Sequence, residues 1–237
     1  MKIEGATALV TGTNRGLGHH FANELLRRGA KVYATARRPE LVDIPGAEVL
    51  RLDITDPASA DAVAEVATDV DLLINNAAST AGGNFVGGDL DAIRDVMDSN
   101  YYGTLNVIRA FAPILAANGG GAILNVLSAA AWTTVDGNTA YAAAKSAAWG
   151  LTNGIRVELA TQGTLVSALV PGLIGTQTLL DFARDAGMVL PPAAVTDPAD
   201  MAALALDGLE AGAVEIFDDM GADAKAGLSG PPRAFSL

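Results

Sequence analysis

Six short segments rich in apolar residues recur along the chain, at 6–11, 31–35, 48–52, 70–75, 121–128 and 165–170. Between them lie stretches with helical spacing: Leu17, Phe21 and Leu25 after the first segment, then 57–67, 89–117, 139–161 and 198–211. Strand-length runs of this kind, apolar on both faces, belong to parallel strands covered by helices on each side. Parallel neighbours in turn require a crossover, usually a helix, between them. The alternation therefore predicts an α/β fold, a doubly wound parallel sheet of six or seven strands with 214–217 as the last.

The composition suits that architecture. Half of the 237 residues are hydrophobic and only 18% are charged, enough apolar material for a large core and far from the disordered class. No linker or repeat divides the sequence, so residues 1–237 read as one domain with a loop-like tail from 220 to 237 that contains Pro231-Pro232. The net charge of −12, from 15 basic and 27 acidic residues, argues against nucleic acid or an anionic membrane as partner. Two uncharged runs, 110–135 and 159–180, are broken by Pro113, 118–121, Gly163 and Pro171-Gly172, so neither predicts a membrane span. The start carries Glu4 where an export signal would be apolar, which predicts a cytoplasmic protein. The absence of cysteine removes disulfides, thiolate metal sites and thiol nucleophiles. His19 and His20 are adjacent on a helix and diverge by about 100°, so no metal site is expected there.

Where the first strand turns into the first helix the chain reads Thr11-Gly12-Thr13-Asn14-Arg15-Gly16-Leu17-Gly18. Glycines at such a turn let backbone amides approach a pyrophosphate at the positive end of the helix. The end of the second strand, 34–38, carries Arg37 and Arg38 in place of the acid that would bond a free ribose, and Arg15 points to the same corner. Guanidinium groups gathered in so acidic a chain suit a 2′-phosphate, which predicts NADP(H) in preference to NAD(H).

Ser128 closes the fifth segment, and Tyr141 and Lys145 stand at i and i+4 on the following helix, hence on one face. A phenol with its ordinary pKa of about 10 is a poor acid–base group at neutral pH, and an ammonium one turn away favours its ionised form. A strand-end hydroxyl can hold the oxygen of a carbonyl or alcohol while the phenol moves the proton.

In these motifs, over roughly 5–217, the sequence resembles the single-domain short branch of the short-chain dehydrogenase/reductase family. The resemblance rests on Thr11 to Gly18, Asp53, Asn75-Asn76-Ala77-Ala78, Asn100, Ser128, Tyr141 with Lys145, and Pro171-Gly172 with Thr176. It implies a Rossmann-type sheet and an oxidoreductase that interconverts a ketone or aldehyde and an alcohol by hydride transfer. Asn100, Ser128, Tyr141 and Lys145 are then catalytic, with Asn100 in a water-mediated proton relay to the lysine. The cofactor contacts are Gly12, Thr13, Asn14, Arg15, Gly16, Leu17, Gly18, Arg37, Asp53, Ile54, Asn76, Tyr141, Lys145, Pro171, Gly172, Ile174 and Thr176.

Two departures stand out: Ala78 replaces the family's glycine, and Asp218-Asp219 stands where relatives carry glycines. A substrate cleft is expected from 79–85, 129–138 and 173–190. Its small and apolar residues, with Phe85, Trp132, Leu173, Leu179, Phe182 and Met188 as candidate lining, suit a neutral hydrophobic substrate. By resemblance the Ala-rich helices at 89–117 and 139–161 imply a homotetramer or homodimer. A non-catalytic NADP(H)-binding sensor on the same fold is the alternative, but it has no need of Ser128, Tyr141 and Lys145. An epimerase or dehydratase of the longer relatives would need a larger substrate lobe.

Overall fold

The computed structural model describes residues 1–134, 136–185 and 187–230; Val135, Ala186 and the expected Pro231-Pro232 loop lie outside them. Seven parallel strands form one sheet: β1 (Thr7–Thr11), β2 (Lys31–Ala36), β3 (Glu48–Arg51), β4 (Leu72–Asn75), β5 (Ala122–Val126), β6 (Leu165–Val170) and β9 (Glu215–Phe217). Their order is β3-β2-β1-β4-β5-β6-β9, so the chain reverses direction across the sheet between β1 and β4. A separate two-stranded pairing, β7 (Leu173–Ile174) with β8 (Val195–Thr196), lies in the segment between β6 and β9.

Strand pleating sends alternate side chains to opposite faces, and two cores form as a result. Ala8, Val10, Val32, Leu72, Ile74 and Leu124 pack with Phe21 and Leu25 of α1 (Gly16–Arg27) and with Met201, Leu206 and Leu209 of a later helix, Pro198–Glu210. Leu9, Leu73, Ile123 and Val166 face the other way. They meet Val63 of α2 (Pro57–Val66), Phe111 and Leu115 of the segment Gly103–Ala117, and Ile155 of the segment Thr139–Glu158. Glu24, Asp207 and Glu210 all pair with Arg28, which ties α1 to the helix Pro198–Glu210.

Four expectations change. The third strand is not buried on both faces: Glu48, Val49 and Arg51 are exposed, because β3 is an edge strand paired only with β2. The helix expected over 89–117 is broken into α3 (Leu90–Met97), a π-helical turn at Asp98–Tyr102 and α4 (Gly103–Ala117). Gly103 presses on Ile54 at the break, where a Cβ would stand 2.8 Å from Ile54 Cδ1. The helix at 139–161 ends earlier, as α5 (Thr139–Glu158), followed by a 3₁₀ turn. The segment after β7 holds a further helix, α6 (Gln177–Asp185), so that Pro198–Glu210 is α7, and the tail folds into α8 (Asp219–Ala226) where a loop was expected. Asp218 caps α8 by accepting the Gly221 N–H at 2.7 Å. Among the described residues no helix is long and apolar enough to cross a membrane.

Gly18 lies inside α1, where an alanine ordinarily stabilises by about 1 kcal/mol. Here a methyl would overlap the Gly12 carbonyl oxygen and the Asn76 side-chain amide. Gly18→Ala is therefore expected to lower stability by about 1–3 kcal/mol in urea denaturation; a gain would contradict this close packing of turn, helix and β4.

Candidate active site

The carboxyl ends of the strands open into one cleft of about 900 Å³. Its floor is made where β1 and β4 diverge. Thr11 Oγ1 accepts the N–H groups of Asn76 and Ala77, both at 2.9 Å, and Asn76 Nδ2 donates to the carbonyls of Thr11 and Gly12 at 2.9 and 3.2 Å. The Asn76 amide thus holds two strand ends at fixed spacing while the residue lines the cleft.

The glycine turn forms one wall. Gly12 and Gly16 have positive φ (+74° and +59°), which carries the backbone into α1 with Asn14, Arg15, Gly16 and Leu17 on the cleft. No side chain caps α1 and no acid occupies its first turn, so its amides remain available to an anion. Thr13 and Gly18 do not line the cleft: Thr13 is buried with Oγ1 donating to Thr35 O at 3.2 Å, and Gly18 serves the packing described above. Arg37 and Arg38, at the end of β2, are exposed on the cleft edge with Arg15. Among the described residues none of the three has a carboxylate within ion-pair distance; Arg15 does lie close enough to Asp181 to add to the lowering of that carboxylate, led by its hydrogen bond from Gln177. Asp53 and Ile54 also line the cleft, with Asp53 Oδ1 held by the Thr55 N–H and hydroxyl. This cradle of open amides and guanidinium groups fits the phosphates of a dinucleotide.

Opposite the turn stand Ser128, Tyr141 and Lys145. Ser128 caps a 3₁₀ turn, Ala129–Ala131, its Oγ accepting the Ala130 N–H at 3.1 Å. Lys145 is buried, its Nζ donating to Val126 O at 2.9 Å and lying 5.6 Å from the centre of the Tyr141 ring. Burial pushes the Tyr141 phenol up to about 12, and the Ser128 hydroxyl opposes this only in part. Burial likewise pushes the Lys145 ammonium down to about 8. The sequence reading expected Lys145 to acidify the phenol; burial instead has the largest influence on it, and the phenol keeps its proton at neutral pH.

Asn100 does not line the cleft. It is buried in the π-helical turn, where its Nδ2 donates to Ser79 O at 2.7 Å and Val96 O at 2.8 Å and its Oδ1 has no partner among the described residues. Pro171, Gly172, Ile174 and Thr176 line the far side with Leu173, Leu179 and Phe182. Three expected lining residues are elsewhere. Trp132 packs against Trp149 and Phe217, Phe85 borders a separate surface depression with Asp136 and Thr139, and Met188 lies off the cleft. Ala78 sits at the cleft without positive φ, so the methyl that replaces the family's glycine causes no backbone strain. Asp95, Asp98 and Met220 line the cleft without having been anticipated. The two acids face it from the broken helix, and Met220 comes from a tail whose glycines and short polar residues signal a loop. Among the described residues no cluster of His, Asp or Glu is suited to a metal ion.

Comparison with known proteins agrees with this geometry. A family model described as short chain dehydrogenase matches residues 6–186. A short chain dehydrogenase from Burkholderia cenocepacia, solved in complex with NADP, superposes with a TM-score of 0.87 at 38% identity over 97% of this chain and 94% of that one. The 3-oxoacyl-(acyl-carrier-protein) reductase FabG of Vibrio cholerae is 33% identical over 216 residues, 85% of this chain and 88% of that protein. A short chain dehydrogenase/reductase from Burkholderia phymatum, solved with NAD, shares the fold with a TM-score of 0.83 at 24% identity.

The Lys145 shift has a consequence for stability. Its ammonium titrates near 8 when folded and at an ordinary value of 10.5 when unfolded. Between those values the unfolded chain binds more protons, so this group makes the folded state gain stability as pH rises through the window. Urea denaturation of the parent and of Lys145→Met is expected to show the difference between them moving in the parent's favour from about pH 8 to about 10.5; a difference independent of pH would contradict the buried ammonium.

Proposed function

The chain belongs to the short chain dehydrogenase family, and from that premise we propose that it is an NADP(H)-dependent carbonyl reductase or alcohol dehydrogenase acting on a neutral, largely apolar ketone, aldehyde or alcohol. The observation that carries the reading is that Ser128, Tyr141 and Lys145 reach the same cleft as the glycine turn and the arginines. The nicotinamide cofactor, when bound, supplies or accepts the hydride.

The glycine turn and the open N-terminus of α1 hold the pyrophosphate. Arg37, with Arg38 and Arg15, takes the 2′-phosphate, Asp53 and Ile54 border the adenosine, and Pro171, Gly172, Ile174 and Thr176 border the nicotinamide. In reduction the Tyr141 hydroxyl gives its proton to the carbonyl oxygen, and in oxidation it takes one back. The phenol's raised pKa keeps that proton in place at neutral pH, ready to be given to the carbonyl oxygen. Ser128 Oγ accepts the Ala130 N–H and its hydroxyl is hydrogen-bonded to the Tyr141 phenol, which sets the two hydroxyls side by side to meet one substrate oxygen. Lys145, fixed on Val126 O, places positive charge beside the phenol and favours release of its proton. Asn100 holds the Ser79 loop against the helix break, which shapes the adjoining wall.

The name of the Vibrio cholerae relative supports a ketone as substrate, since a 3-oxoacyl group is one. Leu173, Leu179 and Phe182 supply an apolar side to the cleft. A sensor without turnover would leave the half-buried phenol and the buried ammonium unused. The proposal includes assembly as a homotetramer or homodimer, for which the outer face of α5 offers small residues at Gly150 and Gly154 beside exposed Val157.

Two substitutions test the reading. Tyr141→Phe is expected to lower kcat for ketone reduction by on the order of 10²–10⁴ while the NADPH dissociation constant stays within about twofold; turnover close to the parent's contradicts the proton-donor role. Arg37→Ala is expected to weaken NADPH by roughly tenfold, the loss of one charge-assisted hydrogen bond, with little change for NADH. Equal losses for both cofactors, in a fluorescence titration, contradict the assignment of Arg37 to the 2′-phosphate.

A further inference from the structure

The tail helix α8 is built into the cleft, and its attachment is specific. Asp218 Oδ2 accepts the Gly172 N–H at 2.8 Å while its Oδ1 caps α8, so one carboxylate joins the helix to the turn after β6. At the other end of α8, Lys225 bonds both Glu215 oxygens at 2.9 Å and stands 4.8 Å from the Trp132 ring and 5.4 Å from the Trp149 ring. Trp132 directly follows the turn that Ser128 caps. The helix is thus anchored both to the Pro171-Gly172 turn and to the loop of the serine.

Between these anchors Met220 lies on Gly172. A Cβ on that glycine would stand 2.6 Å from both Cβ and Sδ of Met220, so the missing side chain of Gly172 is the space that the thioether occupies. Met220 is partly exposed and lines the same cleft as Ser128, Tyr141, Leu173, Leu179 and Phe182. A methionine is unbranched and adaptable, and it presents an apolar surface without a fixed polar demand. Its position is preorganised by a helix clamped at two points.

We propose that Met220 is a specificity-determining residue, the movable apolar wall against which one substituent of the substrate's carbonyl carbon packs. The inference rests on the carbonyl-reductase reading and adds to it the side of the cleft that sorts substrates by size. Shortening the side chain opens room beside Gly172 and admits a bulkier substituent; lengthening it removes room and favours a smaller one. Asp218 and Lys225 act through Met220 by holding α8 in place.

The test measures kcat/KM of the full chain with NADPH for a homologous pair of ketones, one methyl-substituted and one with a bulkier substituent on the same side. Met220→Ala is expected to raise the bulky-to-small ratio by on the order of tenfold, and Met220→Phe to lower it, with NADPH affinity within about twofold of the parent in both. If the ratio is the same in the parent and in both variants, Met220 does not touch the substrate and the inference fails while the reductase reading stands. A common shift for both ketones with a matching change in NADPH affinity places Met220 against the nicotinamide and also overturns it. If the parent reduces neither these ketones nor any of a panel of ketones and aldehydes, the reductase reading itself fails, and the inference with it.

Discussion

Asn76 spends its side-chain amide on the carbonyls of Thr11 and Gly12, and Thr11 Oγ1 answers by accepting the N–H groups of Asn76 and Ala77. This small set of bonds sits where the strand order reverses, between β1 and β4, and it fixes the gap from which the cleft opens. In an open parallel sheet the crossovers leave on opposite faces at such a point, so nothing covers the strand ends there. The glycine turn on one side and Ser128 on the other face each other because of it. A shift of the Asn76 amide would move both walls, since Gly18 is packed directly on it and on Gly12.

The chemistry is assembled from two differently buried halves. On the turn side, amides and arginines are open to solvent, where charge can meet charge without a desolvation cost. On the α5 side, a phenol and an ammonium are withdrawn from water and their pKa values move in opposite directions, toward about 12 and about 8. Each group is thereby biased to its neutral form: the phenol keeps its proton and the ammonium releases its own more readily. A group that holds its proton against neutral water and gives it up to a developing alkoxide suits reduction of a carbonyl.

The strands and the principal helices were legible in the sequence because burial on both faces leaves a plain apolar run, and the glycine turn and the Tyr141–Lys145 pair because each has a fixed local spacing. The third strand was placed correctly but its burial was not: the exposed residues at Glu48–Arg51 reflect an edge with only one neighbour. The break at Asp98–Tyr102 has no proline or glycine within it to announce it; beside it Gly103 meets Ile54, a contact between distant parts of the chain. Likewise Trp132 has the character of a pocket aromatic, and only the packing of Trp149, Phe217 and Lys225 around it decides otherwise. The tail helix did carry a local signal, Asp218 in the position of a cap, but small residues and Gly221 hid it. For the edge strand, the helix break and Trp132, what was not legible was a tertiary contact.

The proposed function requires the bound cofactor and Tyr141 to act on one carbonyl group in the cleft, with hydride from the nicotinamide and a proton from Tyr141. The most direct measurement supplies NADPH deuterated at the transferable position of its nicotinamide ring together with a ketone that the protein reduces, and reads the product alcohol by mass spectrometry. The account predicts one deuterium on the carbon that bore the carbonyl oxygen. NADPH consumed without deuterium on that carbon, when either face of the ring is labelled in turn, would contradict it.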